Sequence, residues 1–315
     1  PITLQGGRLY FKSRNQAGAV NETVGPVTLG LGQSEITVER TGQGADLTLS
    51  SLARTAGGTV RFVAANNTLG NSGDNPRVQI AAQADGFIGG WALVGSADFA
   101  AYKNAAPAGV GAYGNTGGGF PAYATTLASG NVTNLAADLT LPAGASVTGA
   151  LRLAGGATRN LNFTGATDTL YVESGGILSD GSNNARNIGT TTTRGQLTAG
   201  AVGAAGDYEL FLHNNSNTLT VNSRIINNPA GGTVAVVKDL DGTVNLNAAA
   251  GAPNTYSGGT YVTRGTLQAI NAGSLGAGAV TVKNSRLNLN TAGAIDAAAA
   301  VGGFSAVNQG EIYLN

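Results

Sequence analysis

The chain has 315 residues, with 17 Lys plus Arg balanced by 17 Asp plus Glu, so no basic surplus exists to replace the counterions of a nucleic acid. Apolar residues reach 42% at a net charge of +0, which excludes the low-hydrophobicity, high-charge signature of disorder. Cysteine is absent, removing disulfides and thiolate metal sites, and no apolar run approaches the ~18 residues of a membrane span.

Glycine is abundant, with 50 residues, and aromatics make up only 6%, a composition suited to thin stacked layers. Methionine is also absent and the first residue is Pro1, as expected of a processed or partial chain.

Short strands recur from the start. Ile36–Val38, Leu47–Leu49, Val60–Phe62 and Val78–Ile80 lie in the first stretch, and Leu139–Leu141, Leu151–Leu153, Leu161–Phe163 and Leu170–Val172 follow a gap. Leu219–Val221, Val244–Leu246, Val280–Val282, Leu287–Leu289 and Ile312–Leu314 complete the series. Each triplet is apolar at its outer positions and mostly polar in the middle, so one face is buried and the other wet. Turn formers such as Gly155-Gly156, Asp241-Gly242 and Gly258-Gly259 separate them.

Strands of about three residues fall below the usual mode of about five to six, which favours coils over a sandwich. Such units bury their apolar face only by stacking. The reading is therefore all-β: a parallel β-helix of about 20 residues per coil, its layers ~4.8 Å apart. Asn66-Asn67, Asn183-Asn184, Asn214-Asn215 and Asn227-Asn228 are placed to form amide ladders between layers.

One interval breaks the rhythm and divides the chain into 1–85, 86–127 and 128–315. It carries Phe87, Trp91, Phe99, Tyr102, Tyr113, Phe120 and Tyr123, and reads as an aromatic-rich loop insertion with a short helix over Asp98 to Lys103. A satellite core is the simpler account of these rings. The sharper one is a contact patch for another subunit or a surface glycan.

The tail half repeats one phrase, clearest from Asn254 to Asn290. The stretch N-T-Y-S-G-G-T-Y-V-T-R-G-T-L-Q at Asn254 to Gln268, continued by G-S-L-G-A-G-A-V-T-V at Gly273 to Val282, resembles the autotransporter-associated β-strand repeat of bacterial secreted proteins. The segment G-F-I-G-G-W-A-L-V-G at Gly86 to Gly95 resembles one that accompanies these repeats in large surface proteins. The resemblance implies a right-handed parallel β-helix, export to the bacterial cell surface, and an adhesive or scaffolding role without catalytic residues. Nothing in the chain resembles the membrane barrel of an autotransporter.

The candidate chemistry is sparse. His213 is the sole histidine, which excludes a two-histidine metal site. Asp207, Glu209 and His213 share strand parity and would offer acid–base groups on an exposed face, as in a β-helix polysaccharide lyase or hydrolase. A solvated outer face explains them more simply. Gly109 to Gly114 satisfies G-x-G-x-x-G, but no strand–helix context supports a dinucleotide site. Asp239-Leu240-Asp241-Gly242 reads as a tight turn rather than a calcium loop. No catalytic, metal or cofactor site is expected.

The function expected is structural: an extracellular stalk, adhesin passenger or filament subunit. A glycan-binding module is the alternative, besides the β-helix enzyme. Ile2, Leu4, Ile312 and Leu314 lie on strand-like segments, Pro1–Leu4 and Glu311–Asn315, that lack a capping helix and would dock head-to-tail. Gly258 is expected at a corner requiring positive φ, and Thr263 at a tolerant strand position.

Overall fold

In the computed structural model the chain is nearly all strand, 48% against 1% helix, arranged as a β-solenoid. The structure describes all residues except 16–17, 181–182, 216, 250, 295–303 and 315, so Asn315 of the expected final strand lies outside the described residues. Two compact units divide between Tyr123 and Ala124.

Unit 1 stacks three parallel faces. One holds Ile2–Leu4, Val27–Leu29 and Leu52–Arg54, and another holds Val20–Val24, Ala45–Leu49 and Pro76–Ile80. Between them Arg8–Lys12, Gly32–Glu39, Gly58–Ala64 and Ala92–Val94 pair in that order. Residues of like direction form columns through the layers. Leu9, Ile36 and Phe62 make one inward column, while Arg8, Glu35 and Arg61 make an outward one.

Unit 2 has two faces of eight strands, running from Val132–Leu135 to Phe304–Val307 and from Leu139–Leu141 to Glu311–Leu314. Among the described residues its third face has four: Ala145–Thr148, Thr169–Val172, Gln196–Ala199 and Arg224–Ile225. One inward column reads Leu139, Leu161, Ile188, Val221, Leu246, Ala269, Leu289 and Leu314 without a polar interruption. Each fully buried aliphatic side chain contributes about 1.5–3 kcal/mol relative to exposure, and only when the next layer covers it.

The stretch with the repeat-like phrase lies where the third face has given way to stacked turns. Asn254 bridges layers there: its side chain accepts from Ile225 N (2.8 Å) and donates to Ser274 O (2.6 Å). Tyr256 is fully buried, its hydroxyl sharing a hydrogen bond with Thr260 (2.8 Å).

The structure revises several expectations. Asp98–Lys103 is a strand rather than a helix, and within the aromatic segment Gly86–Phe87, Ala92–Val94, Asp98–Lys103 and Gly109–Ala112 are strands, while 113–127 contains none. Amide ladders occur, at Asn160–Asn187 (2.9 Å) and along Asn222–Asn247–Asn271 (2.7 and 2.6 Å). The adjacent Asn pairs named from sequence mostly serve backbone groups, although Asn227 donates to Ser257 Oγ (2.8 Å). Asn228, for example, donates to Ala199 O and Ala201 O. A ladder needs one amide at the same corner of successive layers, which a pair within one layer does not indicate.

Gly258 is also placed differently: the positive φ, 93°, belongs to Gly259. A Cβ on Gly258 would lie 2.7 Å from Ala235 N and 2.8 Å from Val234 O, so close backbone approach is what demands glycine. Thr263 is buried and donates to Lys238 O (2.9 Å), so it is not the tolerant position. Gly258→Ala is expected to lose about 1–3 kcal/mol by overpacking. Thr281→Val, in a half-buried strand position, should stay within about 0.5 kcal/mol. Urea denaturation of both variants measures the contrast.

Candidate functional site

The aromatic segment closes the parallel stack of unit 1. Ala92–Val94 continues the ladder parallel to Gly58–Ala64, and then Asp98–Lys103 turns back antiparallel upon it. Gly86–Phe87 and Gly109–Ala112 both pair antiparallel to Asp98–Lys103. Phe99, Tyr102 and Phe120 are buried, which removes them from the expected contact patch.

Phe87 meets Phe99 edge-on at 5.6 Å, and Tyr113 lies 5.0 Å from Tyr123. The Tyr123 hydroxyl accepts from Phe99 N (3.1 Å) and donates to Asp98 Oδ1 (3.2 Å). Tyr102 accepts from Ile80 N (3.2 Å), satisfying a donor on the last strand of its face. Gly111 of the G-x-G-x-x-G match faces Phe120, whose ring would lie 2.2 Å from an added Cβ, so its role is packing.

Trp91 is half-buried, with the Arg54 guanidinium 5.7 Å from its ring centroid. It immediately precedes Ala92, opposite Val60, and shares its half-buried state with Phe87, Tyr113 and Tyr123. The neighbouring ladder pair, Gln33 and Thr59, is buried with side-chain polar atoms that have no hydrogen-bond partner.

In unit 2 the expected exposed acid–base face is not formed. His213 is fully buried, stacked on Phe211 at 5.9 Å, and its Nδ1 lies 3.2 Å from Asp239 Oδ2. Asp207 is exposed and accepts from Thr233 N (2.9 Å) and Oγ1 (2.8 Å), while Glu209 is half-buried. Strand parity misled because Gly176–Ser179, Val234–Asp239 and the latter part of Tyr208–Asn214 are buried on both faces.

Two cations that are fully buried escaped the sequence reading. Lys238 occupies the inward column between Leu212 and Val262, and its Nζ donates to the carbonyls of Asp239 (3.1 Å), Arg264 (2.8 Å) and Leu240. Arg186, fully buried, reaches Leu153 O (3.1 Å), Gly155 O (2.8 Å), Ala157 O (2.7 Å) and Asp180 Oδ1 (2.8 Å). Both tie corner carbonyls that would otherwise be costly to bury. Cation type at an inward position was the available signal.

Of the four expected edge residues, Leu4 is buried, Ile2 and Ile312 are half-buried, and Leu314 is 81% exposed. Arg8–Lys12 was missed as a strand, although its alternation in R-L-Y-F-K was legible. Among the described residues no group of three or more His, Cys, Asp or Glu is arranged to hold a metal ion, and no helix is long and apolar enough to cross a membrane. No family model, curated protein or solved structure matches the chain.

Two measurements test this account. Tyr102→Phe should cost about 1 kcal/mol by leaving Ile80 N unpaired, and Phe99→Ala about 3–5 kcal/mol by opening a cavity, both read by denaturant melts.

Burial pushes Lys238 down from 10.5 to about 7, against the opposing pull of Asp239 and Asp241. Between those values the unfolded chain holds a proton that the folded chain has released, so stability rises with pH. Below about 7 both states are protonated and this contribution is flat. The stability of the native chain relative to Lys238→Met should climb above pH ~7 by at most about 1.4 kcal/mol per pH unit, measured by urea melts.

Proposed function

We propose that the chain is a structural protein, the β-solenoid part of an extracellular fibre, stalk or adhesin at a bacterial cell surface. The observation that carries this reading is the use of polar side chains to brace one layer against the next. Arg8, Glu35 and Arg61 form an alternating ion row (2.8 and 2.5 Å), Arg77 bridges to Asp46 (2.7 Å), and Asn222–Asn247–Asn271 is a continuous amide ladder. Groups engaged in this way hold layers in register and are not free for turnover. On this reading the protein has no catalytic role and needs no cofactor.

The likeness of Asn254 to Val282 to the autotransporter-associated repeat supports export and a place among surface β-helix proteins. Self-association is part of the proposal, in keeping with a stack held by strand-to-strand pairing, a contact that a second copy can also make. A second reading, surface-glycan binding, is favoured by one observation: partly exposed Trp91 beside Arg54.

Sedimentation velocity of the 315-residue chain, with electron microscopy of the product, should show concentration-dependent growth into filaments. A monomer at the highest attainable concentration would remove the fibre reading. Glycan-array binding abolished by Trp91→Ala would establish the second. Release of reducing ends from polysaccharides would overturn the structural reading in favour of an enzyme.

A further inference from the structure

Two rows of uncharged side chains stand on Thr218–Val221, Thr243–Leu246, Thr266–Ala269 and Arg286–Leu289, strands that are each paired on both sides. Leu219, Val244, Leu267 and Leu287 on these strands belong to the unit 2 core, so the residues alternating with them face outward. The parallel register stacks Thr218, Thr243 and Thr266 in one row, and Thr220, Asn245, Gln268 and Asn288 in the next. All seven are half-buried.

The polar groups around these rows are engaged with one another. Asn187, opposite Thr220 in the preceding layer, donates to Asn160 (2.9 Å). Two residues beyond Thr220, at the corner, Asn222, Asn247 and Asn271 bond in succession (2.7 and 2.6 Å). Arg286, opposite Thr266, is paired with Glu311 (3.0 Å). Among the described residues, the seven side chains of the two rows hydrogen-bond to no protein group, and Asn245 Oδ1 is enclosed yet has no partner. Amides of the same kind brace the layers two positions away, so bracing is not what these rows supply.

From this contrast we infer that the two rows bind a neutral polysaccharide chain of the cellulose type, laid across the strands along the direction in which the layers stack. The inference deepens the glycan reading above and gives it a site in unit 2 that is independent of Trp91. Threonine hydroxyls and amide side chains each donate and accept, as sugar hydroxyls do, so either role of a sugar hydroxyl is met.

The spacing suits a linear chain. Each row presents one group per layer, ~4.8 Å apart, and the rows lie about 6.6 Å from each other along the strands. An extended cellulose-type chain advances by close to one layer spacing per ring. The four layers from Thr220 to Asn288 span roughly 14 Å and match about four rings. A polyanionic chain is disfavoured, because the rows hold no cation and Arg286 beside them is already paired. The rows hold no carboxylate either, so they offer no acid–base pair to cleave the bound chain.

Calorimetric titration of the full chain with cellohexaose, xylohexaose and chitohexaose, and with an oligogalacturonate as the charged counterpart, tests the site. At least one neutral hexaose should bind and the oligogalacturonate should not. Asn245→Ala combined with Gln268→Ala should weaken binding at least ~10-fold by removing two amides that meet the sugar. Neither side chain hydrogen-bonds within the protein, so the melting temperature should stay near the native value. Thr243→Val, which keeps the shape and removes one hydroxyl, should also weaken binding without loss of stability. Trp91→Ala should leave hexaose binding unchanged. Binding that survives the Asn245 and Gln268 changes but is abolished by Trp91→Ala would overturn this site and leave the glycan reading standing. Binding of none of the neutral hexaoses would overturn the site as well, and silence across the whole glycan array would overturn both.

Discussion

Everything in this structure depends on parallel backbone pairing between successive layers. A strand of three or four residues supplies too few contacts to hold its own place, so its neighbours above and below must fix both its position and its facing direction. Parallel pairing puts like positions side by side, and each inward position becomes a column whose chemistry must be tolerable in all layers. The uninterrupted column from Leu139 to Leu314 is the outcome of that constraint. The outward rows obey it as well: like charges would stack, and the row Arg8–Glu35–Arg61 alternates instead.

The same constraint explains the two fully buried cations, Lys238 and Arg186. Corners between faces leave carbonyl groups pointing where no ladder receives them. A long side chain rooted in an inward column can reach such a corner while its methylenes take the place of an aliphatic residue. Lys238 and Arg186 both act in this way, with three and five carbonyls respectively among their acceptors. The lysine is held well below its ordinary pKa, because burial opposes its charge more strongly than the nearby aspartates favour it. Burial also pushes Glu35 upward, but hydrogen bonds from Thr37 and Arg61 outweigh it and hold the carboxylate below its ordinary value.

A stack that templates its own growth needs a device that stops it. In unit 1 that device is the reversal of Asp98–Lys103, since an antiparallel strand does not offer the next coil a parallel edge in the same sense. Larger side chains fill the space under this reversal, and the aromatic residues concentrate there. Their clustering in sequence therefore has a packing cause, with Phe87, Trp91, Tyr113 and Tyr123 left partly open.

The sequence by itself determined the architecture: alternating apolar triplets too short to stand alone, punctuated by glycine corners, specify stacked parallel layers. It also located the clearest coils, Asn254 to Asn290, because inward and corner residues repeat there at matching offsets. Only the tertiary structure decided which residues are enclosed. His213 and Asp239 have the alternation of an outer face, yet they are covered on that face, and alternation carries no information about what lies beyond the first layer. The direction of Asp98–Lys103 was equally hidden, because a strand and a short helix of small and aromatic residues share one composition and pairing partners settle between them. The amide ladder of Asn222, Asn247 and Asn271 required the register of three coils, a quantity fixed by corner lengths that vary from layer to layer.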